Sequence, residues 1–452
     1  MIWFQLYRCH PAIGDTLVIF KKIKSIRCIL AVSKNTLDAR MPLQKTAKFY
    51  KMNLSSGYPF WLAKHGLPFD YPKLEKSTKT DVVIMGGGIS GALVAYHLVN
   101  AGIDCILIDG RSIGLGSTCS STSLLQYEID TPLCELKDLV GLKNAVRSYQ
   151  LCAEAIDKLG AIAAKIKFTD FAFKQSLYYA AYKKDRVFLQ QEFTTRKEQG
   201  FDVNYLDEAA VKKEFNFNAP GAILSGAGAQ TNAYTFTHAI LQNVKTKGSE
   251  IFDRTPVTKI DHHTKGVTLT TENGIMIKAK KLVYATGYEA VKYIDQKIVD
   301  LHCTFACTSE QANEKATFWK DDVLIWNTAD PYLYMRSTKD RRILIGGRDE
   351  EFYSPAKRDH LLKGKIKQLV NDFNKVFPHI PFKPEFSWAG TFGATKDGLP
   401  FIGNYKKLSN SLFALGFGGN GITFSLIAAE ILTDLVTGKK NADQQIFSFE
   451  RK

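Results

Sequence analysis

The chain has 452 residues, 45% hydrophobic and 23% charged, enough for one large or two ordinary globular domains with a sizeable core. Its net charge of +15 suggests nucleic acid, but residues 1–51 hold ten Lys/Arg against Asp15 and Asp38, and the remainder carries only +7; that mild excess suits small anionic ligands and argues against a nucleic-acid partner. No uninterrupted apolar run approaches the roughly 18 residues of a membrane span, and eight cysteines without a CxxC pair argue against a metal site and for a reduced, cytoplasmic setting.

The first 51 residues do not resemble the rest. Leu17-Val18-Ile19-Phe20 is too short for a signal-peptide core and is followed, not preceded, by Lys21-Lys22. A basic, acid-poor segment of this kind is compatible with a mitochondrial transit peptide. The favoured reading is translation from Met52, over Met41, with 1–51 a non-homologous and poorly ordered leader.

Asp81-Val82-Val83-Ile84-Met85 is a β-branched apolar run and reads as a buried strand. Gly86-x-Gly88-x-x-Gly91 follows at once, then a helical run from Ala92 to Asn100 and a second strand, Cys105 to Ile108, ending on Asp109-Gly110. The spacing has a mechanical meaning. Gly86 permits a tight turn, Gly88 lets backbone approach a pyrophosphate, and Gly91 lets the helix pack close on the strand. The helix N-terminus, opening at Ile89-Ser90, then directs free N–H groups at phosphate. Asp109, 21 residues beyond Gly88, stands where an acid accepts hydrogen bonds from a ribose diol.

Gly114 to Ser123 is a Gly- and Ser/Thr-rich loop whose backbone can pass close to a planar ligand. Residues 136–165 read as helices by their three- and four-residue apolar spacing. Phe168 to Tyr182 shifts to β-type residues, and a helix follows through Arg196. Lys259 to Lys278 alternates as strands around a Thr271–Gly274 turn, and Lys281 to Tyr284 is a further short strand closed by Ala285-Thr286-Gly287. Residues 301–348 carry four alternating, antiparallel-type strands. Ser411 to Leu415 is a strand, Gly416 to Gly421 a flexible crossing, and a helix with apolar positions at i, i+3 and i+4 runs to about Thr437, ended by Gly438. That glycine-rich approach makes a second anion site, expected to face a planar ring and not a phosphate.

Three blocks, Asp81–Ser123, Ala285–Gly287, and Trp388–Gly403 with Gly416–Ser425, resemble the FAD-dependent amine oxidoreductases, the family of D-amino-acid oxidase, glycine oxidase and sarcosine oxidase, and most of all its γ-glutamylputrescine oxidase-like branch. The resemblance covers about residues 53–452. It implies an α/β fold: a Rossmann-like FAD-binding domain (52–165, 233–292 and 389–452) interleaved with a substrate domain of antiparallel sheet plus helices (166–232 and 293–388). Gly86, Gly88, Ile89, Ser90 and Gly91 would hold the pyrophosphate and Asp109-Gly110 the adenosine ribose. Ser117 and Thr118 would meet the phosphates or ribityl chain, Thr122, Ser123 and Leu124 the isoalloxazine, and Val257 the adenine, with Thr286 and Gly287 nearby. Gly418, Gly419, Asn420, Gly421, Ile422 and Thr423 would cradle the pyrimidine end.

The departures are informative. Substrate-carboxylate arginines of glycine oxidase fall on Phe392 and Gly419, and the carboxylate-binding pair of sarcosine oxidase falls on Gln126 and Thr423. Losing one charge-assisted hydrogen bond costs about 1.5–3 kcal/mol, so glycine and sarcosine are expected to be poor substrates. The cysteine that attaches flavin in some relatives is Gly390 here, so FAD is expected to be bound non-covalently. Tyr334, Arg336 and Asn420 are the candidate catalytic residues, with Arg348 and Lys396-Asp397 weaker ones. His97, His262 and His263 read as structural or solvated, the last two in a turn. The expected chemistry is hydride transfer from an amine carbon to flavin, with O2 or another carrier taking the electrons; the alternatives are oxidation of a hydroxy acid or glycerol phosphate, or a flavoprotein subunit without turnover.

Overall fold

The computed structural model describes residues 16–20, 29–33 and 53–451. The strands Thr16–Phe20 and Ile29–Ser33 pair antiparallel; otherwise the leader expected over 1–51, and its start site, lie outside the described residues.

The apolar runs bounded by Gly and Asp form the centre of an eight-stranded sheet. Thr78–Met85 lies between Cys105–Ile108 and Met276–Tyr284, parallel to both, with Glu250–Phe252 parallel at one edge and Ser411–Leu415 alongside residues 282–284. Parallel central strands are covered on both faces, and here each residue's alternation decides which face it serves. Ile84 and Leu107 face the helices Ile89–Asn100, Ala233–Thr246 and Gly421–Thr437, whereas Val83 and Ile106 join Leu282 and Phe413 on the other side. The strands Val257–His263 and Gly266–Thr271 extend the sheet as an antiparallel meander.

The second large sheet has nine strands, all antiparallel to their neighbours except Leu324–Asn327, which runs parallel to Ser176–Tyr179. Its order across the middle is Pro384–Ala394, Asp300–Ser309, Ile343–Glu351, Leu333–Ser337. The helix Pro355–Val376, N-capped by Ser354, covers one face through Leu369 and Phe373. The opposite face presents Ala306, Leu344 and Trp388 to Phe60, Trp61 and Cys119. A three-stranded sheet of Leu124–Gln126, Gly228–Thr231 and Phe171–Phe173 completes the layers. This is the interleaved α/β arrangement expected from the sequence.

Several details differ from the expectation. Lys259–Lys278 and Lys281–Tyr284 do not separate into strands at residue 280, because Met276–Tyr284 is one continuous strand. It runs beside Thr78–Met85 throughout and changes its other partner midway, so the Lys280-Lys281 pair interrupts the apolar pattern without interrupting the ladder. His262 and His263 end a strand and are hydrogen-bonded, to Ser409 O and Thr268 Oγ1, instead of lying in a turn. The expected domain limit at 388/389 falls inside Pro384–Ala394, and Ser55–Gly57 adds an edge strand to that same sheet. One stretch, Gly418–Thr437, is 20 residues long with a mean hydropathy of 1.2, long and apolar enough to cross a membrane, but 61% of it is buried inside the protein, as in a core helix.

Candidate functional site

Backbone approach explains the glycine triplet. Gly86 has φ +123°, and a Cβ there would stand 2.2 Å from Ala285 O. A Cβ on Gly91 would stand 1.8 Å from Gly86 O, so only glycine brings this helix onto this strand. The helix begins at Ile89 with Gly88 as its cap and no capping side chain from that residue. Thr118 Oγ1 accepts the Ile89 N–H at 3.1 Å, and Ser90 Oγ meets Ser425 Oγ at 2.7 Å, tying the two glycine-led helices together.

Asp109 closes this turn. Its carboxylate accepts the Gly87 N–H at 2.7 Å and the Arg111 N–H at 2.7 Å, while burial pushes its carboxyl above the usual range. Thr255 N–H donates to Asp109 O at 2.8 Å, which brings the segment leading into Val257 beside it. Ala285 N–H donates to Met85 O at 2.9 Å, so Thr286 and Gly287 (φ +56°) follow directly across from Gly86.

The Gly114–Ser123 loop contains a short helical turn at Ser117–Ser120 and is gripped by the nine-stranded sheet and the short helix Phe60–His65. Three successive carbonyls are held by three separate side chains: Ser120 O by Trp388 Nε1 at 2.9 Å, Ser121 O by Trp61 Nε1 at 2.7 Å, and Thr122 O by Arg336 Nε at 2.8 Å. Ser123, next in line, takes φ +57°. Arg336 also donates to Thr231 O at 2.8 Å and lies 5.2 Å from the Trp61 ring centre. It bonds no carboxylate, and its complete burial lowers its pKa to about 10, so it remains a cation at neutral pH. Arg336 therefore positions backbone.

At the far end, Gly418–Asn420 turns into the helix Gly421–Thr437. Asn420 Nδ2 donates to Gln126 O (3.1 Å) and Glu128 O (2.7 Å), fixing the turn on the Leu124–Gln126 strand. Thr423 Oγ1 donates to Asn420 O. Gly419 N–H donates to Asp130 Oδ2 at 2.7 Å, and Tyr332 Oη donates to Asp130 Oδ1 at 3.2 Å. These groups open into a cleft walled by Gln126, Glu128, Asp130, Trp326, Tyr332 and Asn420. Asp130 is reachable through the cleft, yet the protein around it raises its carboxyl pKa.

Tyr334 continues that wall. Its ring lies 5.7 Å from that of Tyr332, its hydroxyl meets Thr304 Oγ1 at 3.2 Å, and burial raises its pKa well above the phenolic value. The weaker candidates lie elsewhere. Arg348 forms a bidentate pair with Asp372 at 2.6 and 2.7 Å. Asp397 binds Arg451 and the Leu399 N–H as a turn-stabilising group. His97 is buried in the first helix, where desolvation lowers its pKa to about 4. Asp130, Glu128, Thr304 and Asp349 were not singled out from sequence. Asp130, six residues past Leu124 at the end of a polar-apolar alternation, carried a signal; Asp349 did not, because its orientation depends on a bulge.

A dinucleotide with a planar ring fits these residues. Two buried hydroxyls in the region, Ser117 Oγ and Thr286 Oγ1, have no protein partner, and glycine backbone faces both ends of the groove. Residues 81–435 match the protein family described as DAO, FAD dependent oxidoreductase. The chain belongs to that family. It is 22% identical over 392 residues to γ-glutamylputrescine oxidoreductase of Escherichia coli K12, covering 85% of this chain and 89% of that one. It is likewise 22% identical over 377 residues to glycine oxidase of Bacillus subtilis 168, covering 82% and 96%. Among solved structures, glycine oxidase from Geobacillus kaustophilus matches with a TM-score of 0.69 at 20% identity, over 83% of this chain and 99% of that one. L-Proline dehydrogenase from P. horikoshii matches at 0.70 and 18%, over 82% and 97%. These structures share the fold. The protein is thus an FAD-dependent oxidoreductase, and FAD is its cofactor.

Proposed function

We propose that this FAD-dependent oxidoreductase oxidises a C–N bond of a small amine. The observation that carries the reading is the cleft beside Asn420, which is walled by carboxylates and aromatic rings and reaches Leu124, directly after the loop held by Trp61, Trp388 and Arg336. The relatives named for γ-glutamylputrescine and glycine oxidation support it.

In this reading Gly86, Gly88, Ile89, Ser90 and Gly91 hold the FAD pyrophosphate on the helix N-terminus, with Ser117 and Thr118 beside it. Asp109-Gly110 hold the adenosine ribose, and Val257, Thr286 and Gly287 line the adenine side. Thr122, Ser123 and Leu124 lie along the ring, and residues 418–423 hold its pyrimidine end, where the helix dipole stabilises negative charge by about 0.3–1 kcal/mol. Binding is non-covalent, with Gly390 at the sheet position facing the ring. When bound, FAD supplies a two-electron acceptor, taking hydride at N5 from the carbon bearing nitrogen and passing the electrons to O2 or another carrier. The substrate-side task of the protein is to orient the C–H bond and exclude water; the imine is hydrolysed by water to a carbonyl compound and an amine or ammonia. Tyr334 and Asn420 face this space, whereas Arg336 acts through the loop it holds. Among the described residues, the six buried cysteines, all unpaired, favour a reducing compartment such as the cytoplasm.

Anaerobic mixing of the yellow holoenzyme with a panel of amines, hydroxy acids and glycerol phosphate tests the reading. Amines should bleach the flavin band. Bleaching by hydroxy compounds alone, or by none of the panel, would overturn it.

A further inference from the structure

The strand Ile343–Glu351 carries a β-bulge where Gly347 (φ +135°) and Arg348 (φ +59°) break the ladder opposite residues 303–305. The extra residue reverses the expected alternation. Arg348 is turned to Asp372 in the covering helix, and Asp349 is turned to the other face, towards Thr304. One oxygen of Asp349, Oδ1, is buried with no hydrogen-bond partner. Buried polar atoms are rarely left unmatched, so an orphan carboxylate oxygen on the sheet face shared with Thr304 and Tyr334 points to a donor that arrives with the ligand.

A continuous wall joins Asp349 to the cleft. The Tyr334 hydroxyl meets Thr304, whose own hydroxyl lies against Asp349; the Tyr334 and Tyr332 rings are neighbours; and Tyr332 donates to Asp130. Among the described residues, the cleft beyond is lined by Asp130, by Glu128, which Arg196 already pairs, and by no Lys, Arg or His. The nearby guanidinium groups are already committed, Arg196 to Glu128 and Glu192, Arg336 to backbone carbonyls, and Arg348 to Asp372. Carboxylates between aromatic faces attract a cation and repel an anion.

Resting on the amine-oxidation reading above, we propose that Asp349 is the anchor for the substrate's ammonium group, and that the enzyme selects amines with no carboxylate on the reacting carbon. The same carboxylate takes one ammonium proton: an N–H bond breaks, an O–H bond forms on Asp349, and the freed electron pair on nitrogen is available as the neighbouring C–H bond is broken. The ionisable groups whose charge bears on Asp349 are Asp130, Asp330, Tyr332 and Tyr334, together with Cys303 and Lys365 on the helix side of the sheet. Burial is the main cause that pushes its carboxyl up to about 7; Asp130 and Asp330 add to this, and Thr304 and Lys365 oppose it. A carboxyl titrating there exchanges a proton with an amine near neutral pH.

The test uses holoenzyme variants D349N, D349E and T304V, titrated anaerobically with n-butylamine, benzylamine and glycine while the flavin spectrum is followed. In the unmodified enzyme the two simple amines should perturb and bleach the flavin at concentrations at least tenfold below glycine. D349N should weaken amine binding at least tenfold and abolish the pH dependence of binding near 7, with flavin content and melting temperature retained. D349E should keep most of the binding, and T304V should lose a few-fold. Equal amine binding by D349N, or preference of the unmodified enzyme for glycine, overturns the assignment of Asp349 while leaving amine oxidation standing. If no amine bleaches the unmodified enzyme, the underlying amine reading fails. Should D349N not retain flavin, T304V and D349E decide: unchanged amine binding in T304V together with loss in D349E overturns the proposal.

Discussion

Arg336 illustrates how one side chain can serve a site without touching the reacting atoms. Its guanidinium satisfies two backbone carbonyls, one from the loop and one from the strand Gly228–Thr231, and leans on the Trp61 ring, all in a fully desolvated setting. A charge-assisted hydrogen bond of this kind contributes about 1.5–3 kcal/mol. Replacing Arg336 with Met removes both and leaves Thr122 O and Thr231 O unsatisfied. The expected result is a loss of FAD affinity of about tenfold or more, together with a shifted flavin absorption band, measured by equilibrium dialysis and spectroscopy. Lysine reaches only one of the two carbonyls at a time, so R336K should recover part of the affinity. An unchanged FAD affinity in the Met variant would show that the loop holds its shape by other means. From the sequence, Tyr334 and Arg336 are two residues apart on one strand and therefore share a face. That much was legible. What lay on the other side of the face was not, because the Thr122 and Thr231 carbonyls come from 214 and 105 residues away.

At the level of elements, a buried ion cluster ties the helix Arg186–Glu198 to the segment that follows the strand Leu124–Gln126. Arg196, on the helix Arg186–Glu198, reaches Glu192 at 2.6 Å and Glu128 at 3.3 Å, with all three side chains buried. Its guanidinium lies 5.7–5.8 Å from the ring centres of Tyr127, Tyr149 and Tyr178. Glu192 also accepts the Leu133 and Cys134 N–H groups, which caps the helix Leu133–Val140 from another element. Burial opposes ionisation of Glu192, but Arg196 and those two amides outweigh it and hold its carboxyl below the usual range. Removing one partner of such a cluster costs about 3–5 kcal/mol. R196A should therefore lower the denaturation midpoint sharply, and R196M less so because it fills the volume without restoring the charge. The sign with pH follows from the lowered Glu192 pKa. Its contribution is present above pH 4.5 and is lost as pH falls through the folded value, so the unmodified protein should lose stability below about pH 4.5 in a way that an E192Q variant does not. Chemical denaturation at pH 3.5 and 7 measures the difference.

Elements also show where sequence patterning is a good guide. Cys105–Ile108 and Ser411–Leu415 form over the very residues their apolar runs marked, because a central parallel strand is buried on both faces and ends where Asp or Gly permits a turn. The terminal helix ends at Gly438 in a left-handed conformation, as its composition required. Asp349 escaped notice for the complementary reason. A bulge is a local count of residues against a partner strand, and the partner is not visible in a single sequence.

For the whole molecule, the FAD site proposed above draws on distant parts of the chain: residues 86–91 and 117–124, then 285–287, and finally 388–390 and 416–423. A cofactor binding there contacts every layer at once. Apoprotein saturated with FAD at a hundredfold excess over Kd should gain about 2.7 kcal/mol, which corresponds to a melting-temperature rise of several degrees, read by differential scanning calorimetry on protein stripped of flavin and then reloaded. Riboflavin lacks the diphosphate that the proposal places on the Gly86–Gly91 turn, so it should raise the melting temperature far less. Equal shifts from both would remove the glycine turn from the account.

The triple grip on the Ser120, Ser121 and Thr122 carbonyls has a mechanical corollary. Two indoles and a guanidinium, rooted on separate segments, leave that strip no independent degree of freedom, so this side of the groove cannot swing open like a door. On the amine-oxidation proposal, reactants enter by the rim near Asp130 and Tyr332, and charge there selects among them before anything meets the ring.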